Sequence, residues 1–347
     1  MNEPMTPDTA GTLSRPPAGP FAAADSALGM DLATRLEHVE TRLTEAAAQS
    51  DRLPHEASHH LMRAGGKRVR PLLVLLAAEL GDGTAPEVLD AAAAVELIHL
   101  ATLYHDDVMD DAPVRRGAPS AHEVWGNSVA ILTGDLLFAR ASLLSAGLGP
   151  DAVRLQATTF ERLVLGQLSE FAGPVPEDDP IDHYIRVLSD KTGSLIAAAG
   201  EFGIRYSGAD HGLIDPIRVY GEKVGVAFQL ADDIIDLTSD AETSGKTPGT
   251  DLREGVPTLP VLYARRAAAA GDSTAAEVVA LLDADLTTDE ALESARSALA
   301  AHPVTAQARA EARRWSQDAI TALAGLPAGD VRDGFEAFAR QVVERTS

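Results

Sequence analysis

Helical periodicity is the feature that most constrains how this chain folds. From about Leu32 onward the chain is rich in Ala and Leu, and its apolar residues recur at helical spacing. No alternation of β-branched residues is long enough to predict a sheet. Pro86, Pro180 and Pro303 stand where new helical patterns begin, as expected for proline in the first turn of a helix. The sequence therefore predicts an all-α fold.

The predicted helices form one continuous domain. No long linker, composition shift or repeat of fixed period interrupts residues 28–347, so a single bundle of packed helices is expected there. Residues 1–27 contain five prolines among small and polar residues, and this mixture predicts a disordered tail. The predicted helices lie at about 32–48, 52–64, 71–80, 86–112, 122–146, 151–171, 180–207 and 212–239, with shorter helices from 257 onward.

The acidic composition limits the ligands and partners that the chain can bind. With 29 Lys and Arg against 52 Asp and Glu, the net charge is −23, which disfavours nucleic acid and anionic lipid. An anionic ligand must therefore be held by local basic groups or by metal. The absence of cysteine excludes disulfides, thiolate zinc sites and cysteine nucleophiles. The longest apolar runs are too short for a transmembrane segment, and no secretory signal is visible, so a cytoplasmic location is predicted.

An aspartate-rich segment, His-Asp-Asp-Val-Met-Asp-Asp, occupies residues 105–111 at the end of the predicted helix 86–112. Asp106 and Asp110 are four residues apart, so they share a helical face and can bind one divalent cation or two neighbouring ones. Such a run alone is more typical of a solvated helix face. The apolar residues 97–104 before it favour a position at the border of a cavity instead.

The same spacing recurs within residues 228–236, where Asp232 and Asp236 are again four apart on an apolar helix. Two such helices can face each other across a bundle and surround a set of metal ions. Without cations, five or six carboxylates in one cavity would repel one another strongly, so the pairing implies metal. Oxygen ligands favour Mg²⁺ or Mn²⁺ over zinc, and Mg²⁺ leaves coordination positions for water and phosphates.

Basic residues occur in small groups against the acidic background. Residues 65–71, Gly-Gly-Lys-Arg-Val-Arg-Pro, place three cations after a glycine break and before a predicted helix, which suits a diphosphate. Arg115 and Arg116 follow the first acidic motif, and Lys191 and Lys246 lie beside small residues. Singly, each of these is more often an ordinary surface cation. Together, they predict binding sites for ligand phosphates.

These motifs together resemble the trans-isoprenyl (polyprenyl) diphosphate synthase family, from about Leu32 to the C-terminal helices. The resemblance implies an antiparallel helical bundle of the isoprenoid synthase type around a deep central cavity. It also implies a prenyltransferase that condenses an allylic diphosphate with successive isopentenyl diphosphate units. Three Mg²⁺ ions per active site are expected, with Mn²⁺ as a substitute. By this resemblance the metal ligands are Asp106, Asp107, Asp110, Asp232, Asp233 and Asp236.

The resemblance assigns the two diphosphates to separate groups of residues. Isopentenyl diphosphate would be bound by Lys67, Arg70, His99 and Arg116. The allylic diphosphate would be bound by Arg115, Lys191, Gln229 and Lys246. Gly66 and Thr192 would complete the substrate site. The residues expected to act in catalysis are Asp106, Asp110, Asp232, Lys191 and Lys246. Many family members carry one more lysine after the Gly-Lys-x-x-Gly-x-Asp segment, where this chain has Val256.

In this family, bulk on the helix before the first motif sets the product length. Counting back from Asp106, Ala101 and Thr102 lie about one turn away and Ile98 about two. Short-chain members commonly have Phe or Tyr at the first level, and this chain has neither. The resemblance therefore implies a medium- or long-chain all-trans product, with a short-chain farnesyl or geranylgeranyl diphosphate synthase as the alternative. It also implies a homodimer.

Three other functions compete with this prediction. A class I terpene cyclase would share the fold and the first motif, but its second motif usually has an Asn/Ser/Glu pattern. A non-catalytic partner subunit of a heteromeric synthase normally loses one or both aspartate motifs. An acidic helical interaction protein would need neither matched carboxylate sites nor the basic groups. Both motifs are intact here, which favours the synthase.

Overall fold

The structure is a computed structural model that describes residues 27–238 and 248–345. These residues are overwhelmingly helical, which confirms the predicted all-α class. The predicted tail falls on residues outside the described part, apart from Ala27, which is the first residue of a helix. Lys246 also lies outside the described residues.

Sixteen α-helices follow one another along the described residues. They are α1 Ala27–Ala47, α2 Arg52–Arg63, α3 Val69–Ala78, α4 Pro86–Met109, α5 Ala121–Trp125, α6 Asn127–Leu148, α7 Pro150–Ala172, α8 Pro180–Leu188, α9 Ser194–Tyr206, α10 Ile214–Thr238, α11 Thr250–Arg253, α12 Leu259–Ala269, α13 Ser273–Leu282, α14 Asp289–Ala301, α15 Pro303–Ala322 and α16 Asp330–Glu344. A π-helical turn, Ser189–Gly193, joins α8 to α9, and 3₁₀ turns cover His211–Leu213 and Leu323–Gly325.

A short β-hairpin follows α4, with two residues in each strand. It forms the sheet found in the described part of the chain. Its strands are β1 Val114–Arg115 and β2 Ala118–Pro119. The two turn residues between them, Arg116 and Gly117, both have positive φ, at 54° and 77°. This combination is typical of the type I′ turn, which fits the natural twist of a hairpin.

Helix α4 lies at the centre of the bundle. It packs most extensively on α6 and also contacts α1, α3 and α9. Its alanines 91–94 are completely buried, which allows neighbouring helices to approach closely. Helix α10 packs on α9 and α15, and α16 packs on α10 and α15. A smaller apolar core joins α11 to α14 and includes Leu237 at the end of α10.

Four helices pack in a ring. Helices α4, α6, α7 and α9 contact one another in a ring, as α4 on α6, α6 on α7, α7 on α9 and α9 on α4. Across the ring, α4 hardly approaches α7, and α6 hardly approaches α9, within the part of the chain described. The C-terminal end of α4 marks one end of this ring.

Glycines allow α9 and α10 to touch through their backbones. A Cβ atom at Gly221 would lie 2.4 Å from Ala197 Cα, and one at Gly225 would lie 2.5 Å from Gly193 Cα. Such distances leave no room for a methyl group. On its other side, α9 approaches α3 at Gly203, where a Cβ atom would lie 2.4 Å from Val74 O. The three helices are therefore held at fixed separations.

The main differences from the predicted helices are local. The predicted helix at 180–207 contains the π-helical turn, and the one at 122–146 divides at Gly126, whose φ is +82°. Pro86, Pro180 and Pro303 each stand in the first turn of a helix, as predicted.

Two helices, α4 and α6, are long and apolar enough to cross a membrane by length and composition alone. The most apolar window of α4 is 67% buried in the protein, and that of α6 is 39% buried. A buried core helix meets the same criterion, so the two helices are weak evidence for a membrane span.

We predict that Gly221→Ala lowers the free energy of unfolding by about 2–3 kcal/mol, because the added methyl group must push α9 away from α10. Gly147→Ala is the matched control, since a Cβ atom at this position in α6 has no neighbour within 4 Å. The control should be neutral or up to about 1 kcal/mol more stable. Urea titrations of both variants measure the difference. Equal effects would contradict the close contact.

Candidate active site

The first aspartate motif ends α4. Asp106 and Asp110 remain partly accessible at this end, whereas Asp107 is completely buried. Arg115 Nε donates to Asp107 Oδ1 at 2.6 Å, and Asp107 Oδ2 is buried without a hydrogen-bond partner among the described residues. Asp107 therefore fixes the β-hairpin through Arg115, while Asp106 and Asp110 are turned to the accessible side.

Lys191 and Glu170 lie beside the accessible carboxylates. Lys191 Nζ is 2.5 Å from Glu170 Oε2, near the end of α7. Burial raises the pKa of Asp106 to about 6 in spite of Lys191, which lowers it. Burial raises the pKa of Asp110 as well, with Glu170 adding to the rise and Lys191 opposing it. Together with Asp107, four carboxylates thus face two cations, Lys191 and Arg115, and this local excess of negative charge favours a further cation.

The π-helical turn explains why Lys191 is found there. The Ser194 amide donates to Ser189 O across the widened turn, and Ser194 Oγ donates to Asp190 O at 2.6 Å. Gly166 of α7 lies against this turn, where a Cβ atom would be 2.9 Å from Lys191 N. Single π turns within helices are frequent at functional sites. Lys191 and Thr192 are both carried by this turn, at the mouth of the four-helix ring.

The second aspartate motif lies on α10. Asp233 is buried, and both of its oxygens are bound: Tyr184 Oη donates to Oδ2 and Gln229 Nε2 donates to Oδ1 at 3.0 Å. Burial raises the pKa of Asp233 to about 6, with further increases from Asp232 and Asp236. These contacts make Asp233 and Gln229 a structural pair in this state of the protein.

Asp232 and Asp236 are more accessible than Asp233. Arg345 Nη2 is 3.2 Å from Asp232 Oδ1. Asp236 Oδ2 accepts a hydrogen bond from the Asp251 amide at 3.2 Å, and Asp236 O accepts one from the Gly249 amide at 3.0 Å. Asp236 therefore fixes the start of α11, directly after the residues that include Lys246.

A basic cluster lies behind the first motif and consists of Arg70, His99 and Arg116. Arg70 Nε is buried and has no hydrogen-bond partner in the described chain. Burial lowers the pKa of Arg70 to about 10, although Glu96 opposes this change. Burial, together with Arg70 and Arg116, holds the pKa of His99 well below its usual value of 6.5. A buried donor directed into a positively charged cluster is suited to an anion such as a diphosphate.

The rest of the glycine-rich segment has different tasks. Arg68 is buried and binds Glu96 at 3.0 Å and also Glu40, so it connects α1, α3 and α4. Lys67 is exposed beside it. Gly66 leaves room for two guanidinium groups, since a Cβ atom there would lie 2.9 Å from both Arg68 and Arg116. Of the predicted residues in this segment, Arg70 has the most buried position.

Backbone strain is concentrated around this cluster. Among the described residues, the non-glycine positions with positive φ are Arg68, Asp111 and Arg116. Such conformations cost about 1–3 kcal/mol each and are frequent at functional sites. Arg116 Nη1 donates to Gly65 O and, at 3.2 Å, to Leu61 O. The hairpin is thereby bound to the glycine-rich segment.

The donor set fits oxygen-seeking divalent cations such as Mg²⁺. In the described part of the chain, no three acidic or histidine side chains converge on one point. Mg²⁺ is commonly bound by one or two carboxylates and completed by water and substrate phosphates. Asp106 with Asp110, and Asp232 with Asp236, provide two pairs of that kind. Because the pKa of Asp106 is raised, a bound cation would also lower the free-energy cost of ionising this carboxyl group.

The predicted chain-length residues lie below the first motif on α4. Ala101 and Ile98 are completely buried, whereas Thr102 is partly accessible and its Oγ1 donates to His99 O at 2.8 Å. By helical phase, Thr102 lies one turn below Asp106 on the same side. Thr102 therefore faces the same side of α4 as the first aspartate motif.

Several contributing residues were absent from the sequence-based predictions. Tyr184, Glu170, Glu96 and Arg345 contact the predicted residues but belong to no motif with a recognisable spacing. Gly166, four residues before Glu170, gives a weak signal, because a glycine within a helical pattern often marks a close approach. The other contacts depend on the tertiary packing.

An all-α fold with two aspartate motifs of four-residue spacing, and a half-buried basic cluster beside the first of them, is characteristic of prenyltransferases of the isoprenoid synthase class. Residues 51–299 match the family model described as polyprenyl synthetase. The chain belongs to this family. It is 46% identical over 308 residues to nonaprenyl diphosphate synthase of Mycobacterium tuberculosis, covering 88% of this chain and 91% of that protein.

Two solved structures have the same fold over nearly their whole length. A decaprenyl diphosphate synthase from Rhodobacter capsulatus superposes with a TM-score of 0.82 at 34% identity, covering 92% of this chain and 98% of that one. A geranylgeranyl pyrophosphate synthase from Corynebacterium glutamicum, complexed with calcium and isoprenyl diphosphate, has a TM-score of 0.82 at 43% identity, covering 93% and 98%. These similarities confirm the predicted family and the predicted fold.

We predict that the metal-free protein loses stability as the pH rises from about 4 to 7. Asp233 has a pKa of about 6 when folded and 3.8 ordinarily, so the folded state retains a proton that the unfolded state releases. This difference corresponds to about 3 kcal/mol. Asp233→Asn should flatten the pH profile of urea unfolding in EDTA. The exposed Glu277→Gln should leave it unchanged, and an unchanged slope in Asp233→Asn would contradict the assignment.

Proposed function

We propose that this protein extends an allylic diphosphate with isopentenyl diphosphate units to a medium- or long-chain all-trans polyprenyl diphosphate. The supporting observation is that one segment of the chain contacts both aspartate motifs. The first motif lies on α4, the second on α10, and the segment from α8 to α9 contacts both through Lys191 and Tyr184. The basic cluster adjoins the first motif through Arg115, whose charge acts on both Asp106 and His99.

The proposed reaction begins with cleavage of the allylic carbon–oxygen bond. Lys191 and Arg115 lie beside Asp106, where they would stabilise the negative charge that develops on the departing pyrophosphate. Bound Mg²⁺, which we propose as three ions replaceable by Mn²⁺, would add Lewis-acid stabilisation of the same charge. Arg70, His99 and Arg116 would hold the diphosphate of isopentenyl diphosphate close by. Its double bond then attacks the allylic carbon, and loss of a proton completes the extension.

Several other residues take supporting parts in this proposal. Lys67, Gly66, Thr192 and Lys246 are expected to complete the two diphosphate sites. Asp233 and Gln229 are expected to act through their mutual hydrogen bond, and the hydrogen bond from Tyr184 fixes Asp233 relative to α8. The released pyrophosphate can accept the proton, so no side chain is assigned as a general base.

The direct test is an assay with farnesyl diphosphate, labelled isopentenyl diphosphate and Mg²⁺. We predict that Asp106→Asn and Asp232→Asn each lower kcat by roughly 100-fold or more, because each removes a charged metal ligand. EDTA should abolish turnover of the unchanged protein, and added Mg²⁺ should restore it. Asp182→Asn, on an exposed face of α8, is the control and should keep normal activity. Near-normal turnover of both site variants at saturating Mg²⁺ would refute the proposed metal site.

The expectation of a long product rests on the small side chains at the first level below the aspartates on α4. Small residues, Ala101 and Thr102, stand there in place of an aromatic ring. Below Asp106, α4 continues for 20 residues to Pro86, which is about 30 Å of helix. The alternative, a short-chain product, would require a floor formed by other helices of the ring.

We predict that Ala101→Phe shortens the product to about three or four isoprene units, since each helical turn of about 5.4 Å accommodates roughly one unit. The buried ring would block the path, and close-packed neighbours cannot yield without cost. Chromatography of the dephosphorylated prenyl alcohols measures product length. Ile98→Leu, which conserves volume, should leave the distribution unchanged. A distribution unaltered by Ala101→Phe, or an unchanged protein that already stops at geranylgeranyl diphosphate, would contradict the proposed path.

A homodimer is part of the same proposal. Helices α6 and α7 expose large apolar side chains on their outer faces, including Leu132 at 66%, Leu143 at 63%, Leu168 at 58% and Phe171 at 62%. Apolar surface of this extent is typical of a protein interface. The family resemblance and this surface together favour a second copy of the chain as the partner.

We predict that Leu132→Glu combined with Leu168→Glu converts the dimer to a monomer, because each interface would then bury unpaired carboxylates. Sedimentation velocity at micromolar concentration measures the change. Leu281→Glu on α13, at an apolar side chain exposed to 39%, is the control and should remain dimeric. An unchanged protein that sediments as a 36.4 kDa particle would refute the dimer.

A further inference from the structure

The last described residue, Arg345, contacts the second aspartate motif from a distant part of the sequence. Its Nη2 atom lies 3.2 Å from Asp232 Oδ1. Its guanidinium carbon also lies 5.0 Å from the ring centroid of Phe228, one helical turn before Asp232. Arg345 therefore has two contacts on α10, one with a carboxylate and one with an aromatic face.

Helix α16 holds Arg345 in this position. Phe335 and Phe338 are buried, Tyr220 Oη donates to Phe335 O at 2.7 Å, and Ser316 Oγ donates to Ala339 O at 2.6 Å. These contacts fix α16 against α10 and α15. Arg345 is the C-cap residue of this helix and its amide donates to Val343 O, so α16 positions its backbone.

The negative charge around Asp232 favours a cation at this position. Asp232 and Asp236 both act on the buried Asp233, so the motif concentrates negative charge on one face of α10. In the absence of metal, Arg345 supplies a positive charge at this face. A divalent ion bound to the same carboxylate repels the guanidinium, so the two cations compete for Asp232.

We propose that Arg345 is an internal counter-ion of the second aspartate motif that competes with the divalent metal for Asp232. This inference rests on the metal site of the proposed function. Phe228 has a defined part in it, since the ring face can keep the guanidinium at the edge of the site after Asp232 has bound metal. Arg345 is thus a positioning residue that sets the metal affinity of the substrate-free enzyme.

The test is a titration of the EDTA-stripped protein with Mn²⁺ in the absence of substrate. Binding is measured by electron paramagnetic resonance as the loss of the signal of the free ion. Arg345→Gln should bind Mn²⁺ about two- to fivefold more tightly, the range expected for removal of a partly exposed ion pair. Arg345→Lys should retain most of the competition. Arg340→Gln is the matched control, because Arg340 lies on the same helix, pairs with Glu336 and carries the same charge.

A double-mutant cycle separates this contact from a general charge effect. In the Asp232→Asn background, Arg345→Gln should change Mn²⁺ affinity no more than Arg340→Gln does. Equal or weaker Mn²⁺ binding in Arg345→Gln, or an effect that persists without Asp232, would overturn the proposal. Circular dichroism confirms that each variant is folded, and Arg345→Ala gives the same test if Arg345→Gln is not. If Arg345→Gln binds Mn²⁺ more tightly as predicted but the unchanged protein transfers no prenyl group, the proposed function is refuted and the role of Arg345 is not.

Discussion

Helices α9 and α10 touch through their backbones at Gly221 and Gly225, and the geometry of the active site depends on this contact. It fixes the separation between the π-helical turn on one helix and the second aspartate motif on the other. Since α9 also contacts α4, the same packing relates both motifs to each other. Side chains with several rotatable bonds could not hold charged groups at such defined positions.

Charge is divided between two neighbouring zones. Carboxylates from α4 and α7 lie together around Lys191, and arginines from α3 and the β-hairpin lie around His99 of α4. Arg115 lies between the zones and binds Asp107, while Glu96 moderates the repulsion among the arginines. The acidic zone requires a cation, and the basic zone requires an anion, to balance its charge. This arrangement explains how a protein with a net charge of −23 can bind two polyanionic substrates.

The sequence was sufficient to predict the fold class, the two motifs and most helix boundaries, because these depend on local composition and spacing. Pro86 and the four-residue spacing of Asp106 and Asp110 are examples of such local signals. Tyr184 and Glu170 were not predictable in the same way. Their roles follow from the close approach of helices that are distant in sequence, and a tyrosine or glutamate in a helical pattern has many other uses.

The π-helical turn and the hairpin were missed for a different reason. Both arise where a helix must adjust to a neighbour, and residues 189–193 have no composition that distinguishes them from an ordinary helix. The positive φ of Arg116 is equally hidden, because arginine is not a residue that favours this conformation. The basic group at 115 and 116 was recognised from its charge, whereas its geometry required the structure.

The separate small core that joins α11 to α14 has a consequence for the hierarchy of stability within the molecule. It contains far fewer buried apolar residues than the main core and meets the second motif only at the end of α10. Such a unit opens at a lower free energy than the whole protein, so its amide protons exchange with solvent through sub-global openings. Asp236, which holds α11, lies on the border between the two units. We therefore expect one half of the site to belong to the most protected part of the fold and the other half to adjoin a part that opens more readily.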